Sequence, residues 1–375
     1  MNKKFYYTTI LIFVLAIALP YPLFWLTGGL SAQENKENRT LAEFPEFKME
    51  KWDQYFSDLD AYISDYAPFK NQVVSAYNSF QVDVFGGVDI NSQVIVGDDE
   101  WLFSRHDRAY KNYKKFDSLT EAEENKFSKL INEMDALCRE RGIFFCVGIM
   151  PNKEQIYGEY MPAQIKVAED RQSRIEILIE HTRRTSNVSV VYPKAELIAE
   201  KENNPVYYKY DSHWNRIGGF IGAQQIIGEI TGERMYVNEI EWDVRYDRIG
   251  DLAITLNMDS RYNDDGEFNG NYLSEIEFEI VEQSSDSRFI HTVCEDAEND
   301  EVLLVICDSF TNNMRQYLAK NFKECYFVRR ELAFSEDFNI MSCNPDVIVF
   351  QVVERLAEQV VLSGIPKFVT DMAAE

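Results

Sequence analysis

The stretch Ile143–Met150 reads IFFCVGIM, eight consecutive apolar residues. A strand with one wet face alternates apolar with polar side chains. An unbroken apolar run of this length is instead a strand covered on both sides, as in a parallel sheet. Strand-like runs return in VSVVY (Val188–Tyr192), VLLVI (Val302–Ile306), CYFV (Cys325–Val328) and VIVF (Val347–Phe350). Between them the period changes to that of a helix. Asp117–Gly142 offers Thr120 as N-cap, acids in its first turn and Gly142 past its end; Arg171–Arg184 follows. Arg216–Ile230 places Ile217, Phe220, Ala223, Ile227 and Ile230 on one face. Strands alternating with helices predict an α/β domain with a mostly parallel sheet.

The rest of the chain divides around that domain. Residues 1–30 form a membrane anchor or signal segment, 31–115 a linker with a helical and hairpin subdomain, and 116–375 the α/β domain. Within 31–115, Ser31–Thr40 is a short polar linker, Lys48–Phe85 has helical spacing, and VIVGDDEWLF (Val94–Phe103) reads as a hairpin around Gly-Asp-Asp. The acidic, strand-patterned stretch at about 231–300 reads as an insertion. No internal repeat or low-complexity tract is present.

Lys3 and Lys4 precede an apolar run from Phe5 to Leu30, and no acid occurs before Glu34. About 20 apolar residues span a bilayer, and the basic flank stays in the cytoplasm, so the remainder is expected outside it. A cleaved signal peptide is the alternative, since Leu30-Ser31-Ala32 loosely resembles a cleavage site; the length of the run favours an uncleaved anchor. The chain has 38 Lys and Arg against 63 Asp and Glu, a net charge of -25, which argues against nucleic acid and against anionic membrane surfaces as partners. The six cysteines match no zinc spacing and no small-domain disulfide framework, and there is no His cluster. No cofactor or metal is expected.

Chemistry concentrates in two places. In VLLVICDSFTNNMRQYL a buried strand runs into Asp308-Ser309 and then a helix. Functional groups of open α/β sheets sit at such strand ends, where main-chain N–H groups can stabilise an oxyanion. A Ser or Thr there also serves as a helix cap, and on this element alone both readings stand. The second place is YKYDSHWNRIGG. A serine hydroxyl needs a neighbouring base, and a histidine base needs a carboxylate on its other nitrogen. His106 and His181 sit among charged residues and His291 lies in the polar insertion; His213 alone has an acid at this spacing, Asp211, beside an aromatic, Trp214. Asn152 and Arg329 or Arg330 stand at strand ends as candidate hydrogen-bond donors to substrate or oxyanion, with a solvated surface role as the alternative for the arginines.

Together the two motifs resemble the SGNH-hydrolase superfamily, in which a GDS-block serine pairs with a downstream Asp-x-x-His or Asp-x-His. Here Asp211-x-His213 precedes Ser309. That permuted order is similar to the AlgX/AlgJ group of polysaccharide O-acetyltransferases and the related bacterial DHHW proteins. NRTLAEFP (Asn38–Pro45), VGDDEWLF, PNKEQIYGEYMP (Pro151–Pro162), DSHWNRIGG and PDVIVFQVVERLA (Pro345–Ala357) fit the same group. The resemblance implies an SGNH/flavodoxin-like three-layer sandwich with Ser309 as nucleophile, His213 as base, Asp211 orienting it and Trp214 in the site wall. Cys307 stands where the usual block has Gly, a residue that reaches positive φ more cheaply. The function implied is an extracytoplasmic O-acyltransferase, an O-acetyltransferase in particular, that modifies a cell-surface polysaccharide through an acyl-serine, with a polytopic membrane acyltransferase as acyl donor. An esterase or deacetylase, and a non-catalytic glycan-binding or scaffold member of the fold, are the alternatives.

Overall fold

A computed structural model describes residues 3–26, 40–88 and 91–373. The expected linker lies outside the described residues except for Thr40, as does the cleavage-like Leu30-Ser31-Ala32. The span Phe5–Phe24 is long and apolar enough to cross a membrane by length and composition, and it fits a signal anchor or a signal peptide. Two helices form it, Lys3–Ala18 and Pro20–Leu26. The break falls at Pro20, which has no N–H to continue the ladder. Helices Trp52–Asp65 and Lys70–Phe85 follow.

The hairpin at 94–103 is present. β1 (Val94–Val96) and β2 (Leu102–Ser104) pair antiparallel with Ile95 opposite Phe103. Asp99 and Glu100 turn the chain with left-handed backbone angles.

Each apolar run then becomes a strand of one sheet. β3 (Phe144–Met150) and β4 (Ser189–Val191) come first; β5 (Trp242–Arg248) and β6 (Asp265–Gly270) form a separate antiparallel pair. β7 (Glu279–Gln283), β8 (Phe289–Val293), β9 (Asn299–Cys307), β10 (Phe322–Arg329) and β11 (Val347–Val353) complete the sheet, in the order β4-β3-β11-β9-β10-β8-β7. The sheet is mixed. β4, β3, β11, β9 and β10 run parallel, while β8 pairs antiparallel with β10, and β7 antiparallel with β8. Part of the stretch at 231–300 is thus integral to the sheet rather than inserted beside it. β8 alternates buried with half-buried residues and β7 is exposed throughout, the pattern of an antiparallel edge that meets water.

The parallel strands are apolar on both faces because both are covered. Phe145, Val147, Ile149, Leu304, Ile306, Ile348, Phe350 and Val352 pack with helices Glu121–Glu140, Arg174–Thr185 and Glu354–Ala373. Their alternates, including Cys146, Leu303, Val305, Val347 and Val349, pack with helices Arg216–Thr231 and Arg315–Asn321. Thr120 and Ser173 close the first two of these helices with reciprocal caps, each accepting from a Glu main-chain N–H three residues on while that Glu returns the bond. All six cysteines are free and buried.

Candidate active site

The site begins where β9 ends. Cys307 is the last strand residue, paired in register with Arg329, and its backbone is not left-handed. The position therefore needs no glycine. Burial pushes the Cys307 thiol up to about 12, so it stays a neutral, packed side chain. Asp308 then locks the turn to β11. Its carboxylate accepts from Phe310 N at 2.9 Å, Gln351 Nε2 at 3.1 Å and Val353 N at 2.6 Å. Gln351 Oε1 accepts in return from Asp308 N and Thr311 Oγ1. Ser309 stands at the head of the short 3-10 turn Ser309–Asn313 that this network holds in place.

The second half comes from the loop before helix Arg216–Thr231. Asn215 caps that helix by accepting from Ile217 N and Gly218 N. Just upstream, Trp214 is fully buried and its Nε1 donates to the Phe310 carbonyl at 2.9 Å. A Cβ on Gly222 would lie 2.4 Å from the Trp214 ring, so only glycine leaves room for the indole. Asn313 Nδ2 donates to the Trp214 carbonyl at 2.7 Å and closes the clamp. Trp214 thus ties the two motifs together from behind. Trp214, which the resemblance places in the site wall, stands fully buried behind the two motifs.

The clamp joins the three candidate side chains in one hydrogen-bonded row. His213 Nε2 lies 2.7 Å from Ser309 Oγ, and His213 Nδ1 lies 2.7 Å from Asp211 Oδ1. A carboxylate only accepts, so Nδ1 carries the proton and Nε2 is free to take one from the hydroxyl. The other Asp211 oxygen accepts from Arg248 Nη2 at 3.0 Å and Asp251 N at 3.2 Å. Burial pushes the Asp211 carboxyl up, but the hydrogen bond and charge of His213 and the charge of Arg248 outweigh it, and its pKa falls well below the ordinary carboxylate range. Burial likewise opposes the His213 imidazolium, yet the bond to Asp211 and the charges of Asp211 and Asp251 raise its pKa above the usual value.

A third strand end contributes Asn152, just after β3. Arg355 Nη1 donates to Asn152 Oδ1 at 3.2 Å, and the guanidinium sits over the Phe310 ring, 5.5 Å from its centroid. Asn152 N donates to the buried Glu354 carboxylate, which also accepts from Asn112 and Gln155. The Asn152 Nδ2 amide is buried with no hydrogen-bond partner. Next to it, Lys153 Nζ reaches three main-chain carbonyls, those of Leu102, Lys209 and Asp211.

Arg329 donates to Asn312 Oδ1 at 2.7 Å, in the turn that Ser309 opens. Arg330 is paired with Glu331 at 2.8 Å and lies 4.0 Å from Asp308. Among the described residues, Asp211, His213 and Asp251 bring three donor atoms within 4.8 Å of one another. Asp211 is already bonded by His213 and Arg248, and Asp251 by both the N–H and the hydroxyl of Ser212, so the donor set is engaged by the protein itself. Arg248, Asp251, Lys153, Glu354 and Arg355 were not singled out by sequence. Lys153, Glu354 and Arg355 lie inside segments with family-like spacing; Arg248 and Asp251 carry no local signal, because their partners are 37 to 40 residues away.

The α/β sheet with this serine turn defines an SGNH-hydrolase-like protein of the acyl-transfer class. Residues 94–324 match the family described as SGNH hydrolase-like domain, acetyltransferase AlgX, and the chain belongs to that family. No curated protein matches it. Among solved structures, Bacillus cereus PatB1 with a sulfonyl adduct is 16% identical, with a TM-score of 0.50, covering 72% of this chain and 99% of that one. A DHHW family protein from Eubacterium siraeum is 15% identical, with a TM-score of 0.50, covering 76% and 97%. The O-acetyltransferase domain of Pseudomonas putida AlgJ is 18% identical, with a TM-score of 0.47, covering 75% and 99%. At these identities the first two likenesses speak to the fold.

Proposed function

We propose that the chain is an extracytoplasmic O-acetyltransferase that modifies a cell-surface polysaccharide through an acyl-serine on Ser309. The observation that carries this reading is the 2.7 Å contact between His213 Nε2 and Ser309 Oγ, within hydrogen-bond reach for a base and its nucleophile. His213 takes the hydroxyl proton as Ser309 Oγ attacks the donor's acyl carbon. The tetrahedral oxyanion is met by Asn152 Nδ2, whose buried amide has no other partner. As the intermediate collapses, the bond to the leaving group breaks and His213 Nε2 returns its proton to that group. A sugar hydroxyl then gives its proton to His213 and attacks the acyl-serine; Ser309 leaves and recovers the proton. Asp211 keeps the imidazole in the Nδ1–H tautomer throughout.

The apolar span at the N-terminus would keep the enzyme at the membrane, where a polytopic acyltransferase supplies the acyl group. The test is turnover of a chromogenic acetyl ester by the full chain in detergent, compared with Ser309→Ala, with acetate release measured with and without added oligosaccharide. Acyl transfer to the sugar, lost in Ser309→Ala, is the expected result. Equal turnover by both proteins would remove Ser309 from the mechanism, and acetate release indifferent to the sugar would make the enzyme an esterase.

A further inference from the structure

In a chain with a net charge of -25, an arginine beyond the reach of any carboxylate stands out. Arg174, Arg248 and Arg261 each pair with two acidic side chains. Arg315 is different. Among the described residues it makes no ion pair or side-chain hydrogen bond, and the groups acting on its charge are Arg329 and the Cys307 thiol, with no carboxylate among them. Burial and the like charge of Arg329 both work against the Arg315 guanidinium. Arg329 is no better compensated. Its Nη2 donates to a neutral amide, Asn312 Oδ1, and its Nη1 is buried with no partner.

Two half-buried guanidinium groups that repel each other and leave donors unused are costly in isolation. Their position gives the reason for their being there. Arg329 ends β10 in register with Cys307 of β9. Ser309 follows two residues further along the neighbouring chain, at the head of the turn whose Asn312 accepts from Arg329. Arg315 begins the helix that follows the Ser309 turn. Both arginines thus adjoin the turn that carries the nucleophile, at the carboxyl ends of the parallel strands, where ligands of open α/β sheets bind. A guanidinium fork fits the two oxygens of a carboxylate or phosphate.

We propose that Arg315 and Arg329 form an anion subsite that holds a carboxylate or phosphate-ester substituent of the saccharide acceptor beside Ser309. The assignment of the anion to an acceptor rests on the acyl-transfer reading; the subsite itself does not.

The test is a binding measurement that needs no turnover. The melting temperature of the full chain in detergent is followed against glucuronate, glucose 6-phosphate and neutral glucose. Either anion, but not glucose, should raise it, and the anion that does so identifies the substituent. The shift should persist in Ser309→Ala and be lost in Arg315→Gln and in Arg329→Gln. Arg329→Lys keeps the charge without the fork and should weaken apparent binding at least threefold, which covers the case of a Gln variant that fails to fold. No shift with either anion, an equal shift with glucose, or a wild-type shift in the arginine variants would overturn the subsite. These outcomes are separate from the ester test, which reads Ser309 alone.

Discussion

Lys153 Nζ donates to the main-chain carbonyl of Asp211 at 3.1 Å, so a fully buried ammonium holds the residue that is bonded to His213. Its other two protons go to Leu102 O at 2.6 Å and Lys209 O at 2.8 Å, and Trp101 and Phe103 present their rings to it at 4.9 and 5.2 Å. One side chain thereby fastens the β1–β2 hairpin to the Asp211 loop. Lys153→Met keeps the volume but leaves the Leu102 and Asp211 carbonyls without this donor, while Lys209 O keeps its bond from Leu102 N, at a cost of roughly 1–3 kcal/mol. Denaturant midpoints should fall accordingly, and kcat for an acetyl ester should fall more than KM rises. A variant with wild-type kcat would show that the clamp does not act on the site.

The same clamp predicts an alkaline limit. Burial holds the Lys153 ammonium down to about 8, against the attraction of Asp265, Asp211, Asp251 and Glu154. A base whose folded pKa lies below its unfolded value of 10.5 contributes stability that is present above that value and is lost as pH falls through about 8. Stability supplied by this group therefore rises with pH between those values, while the three-carbonyl clamp loses a proton. Turnover should decline above pH 8 without a matching fall in melting temperature. The remaining activity of Lys153→Met should lack that limb.

As the base of the proposed mechanism, His213 should set the acidic limit. Its pKa is raised chiefly by Asp211, over the opposition of burial, with Asp251 adding to the effect at 3.6 Å from Nδ1. The neutral base needed for attack is lost as pH falls through that raised value, so the acidic limb of kcat/KM should lie above the ordinary 6.5. Asp211→Asn should lower turnover by about 10³–10⁴ and move the limb down. Asp251→Asn should move it less, because the 2.7 Å bond to Asp211 remains. A limb that stays fixed in both variants would mean that another group titrates.

Much of this site was legible because its signals are local. Asp211 and His213 are two residues apart, and Ser309 follows an apolar run that could only be a buried strand. The burial of Trp214 was not legible, because the cavity that receives it is made by Gly218 and Gly222, on the following helix. β8 was read as part of an insertion because its alternation describes a half-wet strand but not its neighbour, and β10, which it pairs with, lies some 30 residues on. Arg248 and Asp251 illustrate the same limit. Their roles exist only through the tertiary contact with Asp211.

Asn152 yields the sharpest test of the oxyanion reading. Arg355 can only donate, so the Asn152 oxygen must face it and the amide nitrogen must face away. That leaves Nδ2 as a buried donor with nothing to bond, a cost that persists where a negative oxygen arrives during reaction. Removing it in Asn152→Ala should lower kcat by about 10²–10³ with little change in KM. Folding stability should hold or rise, because an unsatisfied group has been deleted. Arg355→Ala should give a smaller loss, since the amide is then free to turn but still present. If Asn152→Ala lowers stability and leaves kcat untouched, the amide is structural and the oxyanion is met by main-chain N–H groups of the Ser309 turn alone.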